Sequence, residues 1–406
     1  WSGAAGLARL APAQQRPRGQ CAMNATRKPG LLFLEALPTI AGGQTVLLNL
    51  IPGLREDYRI AVLLPGDGPL AAALRAAGVT CFFAPVGRYS LMRKSLRDVA
   101  AYALRTPLLA LRSAQLIRQW GADLIYANSG PTFLWGALAA QLTGRPMIWH
   151  HHNLLADGKT LRLVQTAARL PAVRRIICVS AAAQAQLPGA AAKTVVIRNG
   201  VDTERFRPDP AARAQIRQEL GIPADAAVGG MVGDLIPLKG QATLLAALPA
   251  LAVQHPGAWM ILVGDARTDD AESVQYAARL RGLATTQVKM LGRRSDLPAV
   301  LNALDLLVVA SERETGPLVL LEALATGVPV ISTPVGYAPD LLPADALFAV
   351  GDAPALAARL ADWLGDPGQL AAAGDRSRQQ AVAELSMARM QQQIAAELAA
   401  LLPAAR

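Results

Sequence analysis

Short apolar runs separated by stretches of helical length recur along almost the whole chain. They fall at residues 31–37, 60–64, 79–83, 124–127, 147–150, 176–179 and 195–198, and again at 228–232, 259–263, 288–291, 306–309, 328–332 and 347–350. Apolar runs this short, bounded by turn residues, predict buried strands, and strands separated by helices predict parallel sheets covered on both faces. Two such series predict an α/β chain of two doubly wound, Rossmann-like domains, at 24–198 and 199–384. At their junction Asn199-Gly200 is a turn signal, and Pro208 and Pro210 mark irregular chain before a helix at 211–220. In the last segment, 385–406, Met387, Met390, Ile394, Leu398 and Leu401 form one stripe of a helix. That helix either packs on the second domain alone or crosses back to the first.

Composition fits a large globular chain. With 406 residues, 52% hydrophobic and 17% charged, two ordinary cores can be buried. No apolar run approaches the length of a membrane span. Residues 1–23 lack a sustained apolar stretch and predict a disordered extension, not a signal peptide. The three cysteines have no metal-ligand spacing, and Cys81 and Cys178 sit in apolar runs, which suits a reducing, cytoplasmic setting.

Charge divides the chain. Residues 1–200 carry 23 Lys+Arg against 7 Asp+Glu, whereas residues 201–406 carry 17 against 23. With aromatics at only 4%, the basic half does not suit nucleic acid; an anionic membrane surface or anionic acceptor fits better. Basic residues are densest from Arg88 to Arg118, where Asp98 is the sole acid. There Leu91, Met92, Leu96, Val99 and Ala103 form an apolar stripe beside Arg93, Lys94 and Arg97. Such a helix either lies in a membrane interface, with those three cations as contacts, or packs on its own domain and shows a solvated basic face.

The segment Ser311-Glu-Arg-Glu-Thr-Gly-Pro-Leu-Val-Leu-Leu-Glu322 sets Glu314 and Glu322 eight residues apart around a helix start. Thr315 or Gly316 can cap that helix, Pro317 suits its first turn, and Gly327 with Pro329 ends it. A helix N-terminus attracts phosphate and fixed carboxylates accept from sugar hydroxyls, a pairing that suits a nucleotide sugar. Spacing alone fits better two solvated glutamates on an ordinary strand-loop-helix unit. In Trp149-His-His-His152, strand alternation puts His150 and His152 on one side and His151 on the other. Two ligands make no tetrahedral metal site, so no metal is assigned.

The Glu-x7-Glu spacing, the helix Leu-Val-Leu-Leu-Glu-Ala-Leu-Ala, the phrase Gly-Val-Pro-Val-Ile-Ser-Thr-Pro-Val-Gly and Ile-x-Asn-Gly-Val-Asp-x-x-x-Phe-x-Pro at 197–208 together resemble retaining glycosyltransferases of family 4. The resemblance implies a GT-B fold, two Rossmann-like domains facing a cleft. It implies a nucleotide-sugar donor held by Gly42 and Gly43 of the first loop, Lys239, Arg293, Glu314, Gly316, Leu318, Val319 and Glu322. His152, Glu314 and Lys239 are the implied catalytic set: His152 beside the donor sugar, Glu314 on its hydroxyls and Lys239 on the diphosphate. Glu322 goes to the ribose, and the backbone of 288–298 to the base. For His152, a hydrogen-bonded structural imidazole is the competing reading.

Two positions depart from the family wording. Pro317 stands where an amide-bearing residue is common, and Asp234 where an arginine is expected. A carboxylate there repels a diphosphate unless Arg293 or Arg294 compensates, so Asp234→Arg is expected to preserve or tighten donor binding. The implied activity is hexose transfer to a polysaccharide or lipid-linked acceptor in bacterial cell-surface glycan synthesis, with no obligatory metal, in the cytoplasm or peripherally on the inner face of the cell membrane. A nucleotide-sugar epimerase of the same fold, or an impaired sugar-nucleotide-binding protein, are the alternatives.

Overall fold

The computed structural model describes residues 27–86, 96–268 and 270–402, and of residues 96–100 the backbone alone. The predicted extension at 1–23, Arg93, Lys94 and the side chain of Arg97 therefore lie outside the described residues.

Among the described residues twelve strands form two wholly parallel sheets. The first contains β1 (Gly30–Leu34), β2 (Arg59–Leu64), β3 (Thr80–Phe83), β4 (Leu124–Ala127), β5 (Met147–His151), β6 (Val173–Cys178) and β7 (Thr194–Val196), in the order β3-β2-β1-β4-β5-β6-β7. The second contains β8 (Val228–Val232), β9 (Trp259–Val263), β10 (Val288–Met290), β11 (Leu306–Val309) and β12 (Val330–Ser332), in the order β10-β9-β8-β11-β12. Each sheet grows outward on one side and then resumes on the other. The reversals fall between β1 and β4 and between β8 and β11. Loops leaving a parallel sheet in opposite directions open a crevice at the carboxyl ends of the strands, the usual ligand site of such sheets.

The run at 347–350 is not a strand. Leu347 makes a single bridge to Ser332, Phe348 N donates to Ser332 O at 3.0 Å, and the chain leaves through an exposed Val350. Left-handed Gly351 (φ 75°) then leads into the helix Ala353–Leu364, leaving no length for further pairing. At the other end, the run from 31 stops at Leu34, because the Glu35 carboxylate takes the next two amides of the chain.

Period-two alternation sorts the first sheet between two cores. Leu32, Leu34, Leu63, Ile125 and Trp149 face one layer, which includes Leu109, Ala114 and Ile117 of the helix Leu96–Trp120. Leu31, Phe33, Val62, Leu124, Tyr126 and Ile148 face the other, which includes the helix Gly42–Leu54. Met390, Ile394 and Leu398 of the last helix, Met387–Ala399, enter that second core. The chain end thus crosses back onto the first sheet, and Gln391 Nε2 donates to Asn49 O at 2.7 Å.

The two passages between the halves run side by side. Val201 N donates to Leu385 O at 2.8 Å and Met387 N to Val201 O at 2.9 Å. A Cβ on Gly200 would stand 2.7 Å from the Met387 Cα, so glycine is required where the passages touch.

Candidate functional site

At the reversal of the second sheet the loop after β8 runs over the end of β11. Gly240 is left-handed (φ 77°), and a Cβ there would stand 2.1 Å from Ala310 O. Glu312 N donates to Leu238 O at 2.9 Å, tying the two loops together. Lys239 and Glu314, far apart in sequence, therefore face each other. Lys239 Nζ donates to Glu314 Oε1, which also accepts from Ser311 Oγ at 3.2 Å.

Asp234 does not stand bare. Its carboxylate accepts from Arg267 Nε at 2.8 Å and from Arg293 Nη2 at 3.0 Å. One carboxylate with two guanidiniums leaves one net positive charge, the charge a single arginine would supply. Arg294 does not take part, being held by Glu219 at 2.8 Å and Asp296 at 2.7 Å. Arg267 was missed from sequence, although its place just beyond the end of β9 marked it as part of the same crevice.

The helix after β11 is Leu318–Thr326, ended by left-handed Gly327. Its N-cap is Pro317, not Thr315 or Gly316, and no side chain caps it. Thr315 is used otherwise: its Oγ1 accepts from Leu154 N at 2.8 Å, joining this loop to the first half of the molecule. Tyr337 fixes the segment from behind. Its hydroxyl donates to Pro317 O at 2.7 Å, and a Cβ on Gly316 would stand 2.6 Å from its ring. Without a side-chain cap, the Leu318 and Val319 amides are left for another acceptor, at the positive end of the helix. Glu322 lies a turn further along, half-buried. Burial pushes its carboxyl up to about 7, against the downward pull of Arg205.

The reversal of the first sheet lies opposite. A Cβ on Gly42 would be 4.0 Å from Leu318 Cδ1, so the first loop of one half reaches the helix start of the other. Gly43 packs against His152, where a Cβ would be 3.6 Å from Cδ2. His152 Nε2 lies 3.2 Å from Asn128 Oδ1. Asn128 Nδ2 donates to Glu35 Oε2 at 2.8 Å and to Gly43 O at 3.2 Å. Neither Glu35 nor Asn128 was picked out from sequence; an acid ending the apolar run of β1 was the available signal.

The three histidines divide as alternation predicts. His150 and His152 lie side by side with ring centroids 3.8 Å apart and planes tilted by 38°, and His150 Nδ1 meets Tyr126 Oη at 2.7 Å. His151 packs edge-on against Phe133 on the other face. Burial, then the neighbouring imidazoles, holds His150 well below the usual range and His152 down to about 3. Burial lowers His151 to about 4. All three are neutral at physiological pH. Among the described residues no group of three His, Cys, Asp or Glu is placed to hold a metal ion.

Residues 212–380 match the family described as Glycosyl transferases group 1, and residues 40–205 match Glycosyltransferase Family 4. The chain belongs to this glycosyltransferase family. A D-inositol 3-phosphate glycosyltransferase of Saccharomonospora viridis is 30% identical over 74% of this chain and 75% of its own length. The Escherichia coli UDP-Gal:alpha-D-GlcNAc-diphosphoundecaprenol alpha-1,3-galactosyltransferase is 27% identical over 74% of this chain and 78% of its own. The crystal structure of Anabaena HepE with UDP and glucose matches 91% of this chain and 99% of its own, at 29% identity and a TM-score of 0.76. Family 4 membership and this likeness identify the fold as GT-B and the protein as a glycosyltransferase that uses a nucleotide-sugar donor.

Proposed function

We propose that the protein moves a hexose, with retention of anomeric configuration, from a nucleoside diphosphate sugar to a polysaccharide or lipid-linked acceptor in bacterial cell-surface glycan synthesis. The observation that carries this reading is the Lys239–Glu314 pair, set across the second reversal and beside the uncapped start of the helix at Leu318. An incoming diphosphate draws the ammonium to itself and frees Glu314 to accept from donor hydroxyls. As the glycosidic bond breaks, negative charge on the leaving diphosphate is met by Lys239, the amides of Leu318 and Val319 and the backbone at Gly42 and Gly43. In this reading those groups suffice and no metal ion is assigned. Glu322 reaches the ribose, and His152 lines the sugar side.

The lipid-linked acceptor draws support from the diphosphoundecaprenol named for the Escherichia coli relative. No helix among the described residues is long and apolar enough to cross a membrane. The helix Leu96–Trp120, however, exposes Leu104 (81%), Leu108 and Leu111 next to Arg105 and Arg112. Apolar residues interleaved with cations suit the inner surface of an anionic membrane, where a peripheral enzyme meets such an acceptor.

A thermal-shift screen with UDP, GDP, ADP and their sugars tests the donor site, since a ligand of the folded state raises its stability. One nucleotide series is expected to raise Tm in wild type, and Glu314→Ala to lose turnover; no shift with any of them, or full turnover in Glu314→Ala, overturns the assignment. Flotation with anionic liposomes is expected to fail when Leu104, Leu108 and Leu111 are changed to serine; unchanged flotation rules out this face.

A further inference from the structure

We propose that Glu35 and Asn128 are positioning residues that hold His152 as its Nε2–H tautomer, leaving Nδ1 as the ring's acceptor atom. The proposal rests on the reading that His152 lines the sugar side of the cleft, and adds how the ring is set. Glu35 follows β1, Asn128 follows β4 and His152 follows β5, so three neighbouring strands deliver the three side chains to one point.

Glu35 is fully buried, yet no cation pairs with it among the described residues. Its Oε1 accepts from Ala36 N at 2.7 Å and Leu37 N at 3.0 Å, and its Oε2 from Asn128 Nδ2 at 2.8 Å. Three donors on one carboxylate satisfy it in its ionised form. An ionised carboxylate only accepts, so the Asn128 amide must turn its NH2 toward Glu35. Gly43 O, at 3.2 Å from the same nitrogen, demands that orientation a second time. The Asn128 oxygen is then the atom facing His152 Nε2 at 3.2 Å, and an amide oxygen cannot donate. The proton between them must belong to the histidine. In a neutral imidazole that places the lone pair on Nδ1. One buried carboxylate thus fixes, through an intervening amide, which ring nitrogen can accept a proton or a hydroxyl.

The test is long-range 1H–15N correlation on 15N-histidine-labelled protein at neutral pH, with His152 assigned by its loss in His152→Asn. Wild type is expected to show a protonated Nε2 and a bare Nδ1; a protonated Nδ1 overturns the proposal whatever the variants do. In Glu35→Gln, Ala36 N and Leu37 N hold the new amide's oxygen, so its NH2 faces Asn128 and favours the reversed Asn128 amide, against Gly43 O as the one acceptor still favouring the original. The His152 signals are expected to move toward a tautomer mixture and kcat to fall about tenfold to a hundredfold, by analogy with the outer-shell partners of metal-ligating imidazoles. Donor KM is expected to stay within roughly threefold, because the donor's own contacts remain. An unchanged tautomer in Glu35→Gln overturns control by Glu35. Full turnover in His152→Ala would instead sink the placement of His152 at the sugar, with the tautomer result still standing.

Discussion

The two sheet reversals share one topology and differ in chemistry. At the first, Glu35 and Asn128 are buried, and the carboxylate is satisfied by two backbone amides and a neutral side chain. At the second, Lys239, Glu314, Asp234, Arg267 and Arg293 form ion pairs that solvent reaches, with 65% of the Arg293 side chain exposed. Burying a charge forbids change of partner, because an unpaired polar group in the interior costs several kcal/mol or more. Ion pairs that solvent reaches exchange partners more easily, and a largely exposed one such as that of Arg293 contributes only about 0–1 kcal/mol. The first reversal therefore suits a fixed frame and the second suits groups that must let go of each other to take a ligand. Fold supplies the crevice in both cases, and residue type decides what each crevice can do.

The comparison breaks most directly at Lys239. Lys239→Ala is expected to lower kcat about 10²–10³-fold, the cost of removing one preorganised group from developing charge, with Tm nearly unchanged. A rise in KM with kcat intact would mean that Lys239 only binds the ground state.

Glu322 tests whether burial also shapes the second crevice. Its folded-state pKa is raised to about 7, above the ordinary carboxyl value. The stability it contributes is full below the unfolded value near 4.5 and is lost as pH rises through about 7. Relative to Glu322→Gln, wild type without donor is expected to lose about 1–3 kcal/mol between pH 5 and pH 8, measured by denaturant titration at each pH. Parallel curves for the two proteins would place the carboxyl in water instead.

Strand positions were legible because strands buried on both faces read as continuous apolar runs, as at Leu306–Val309 and Trp259–Val263. The run at 347–350 misled because local apolarity does not say whether a partner strand is there to pair with. The Lys239 to Glu314 meeting was foreshadowed only through motif wording. Glu35, Asn128 and Arg267 were not foreshadowed, since each acquires its partner across strand ends that become neighbours only when sheet order is known. Apolar periodicity carries the elements and does not specify that order. Capping misled for a similar reason: Thr315 has the chemistry of an N-cap, yet its hydroxyl is committed to Leu154 across the cleft.

The smallest expected effect is at Asp234, where the ion pairs argue against the sequence expectation. Adding positive charge where a diphosphate binds argues for tighter binding in Asp234→Arg. Yet Asp234 holds Arg267 at 2.8 Å and Arg293 at 3.0 Å, and a third guanidinium would replace the carboxylate that pairs them with a like charge. Each like-charge contact near a surface costs about 1 kcal/mol or more, and both arginines would swing into water. Donor affinity in Asp234→Arg is expected to fall about fivefold, equivalent to roughly 1 kcal/mol, while Asp234→Asn, which still accepts one hydrogen bond, falls less. Titration calorimetry with the donor nucleotide at two salt concentrations separates the causes. If the loss is electrostatic disorder of the arginines it shrinks as salt rises; tighter binding by Asp234→Arg at both concentrations would show that the two arginines serve Asp234 alone and contribute nothing to the donor.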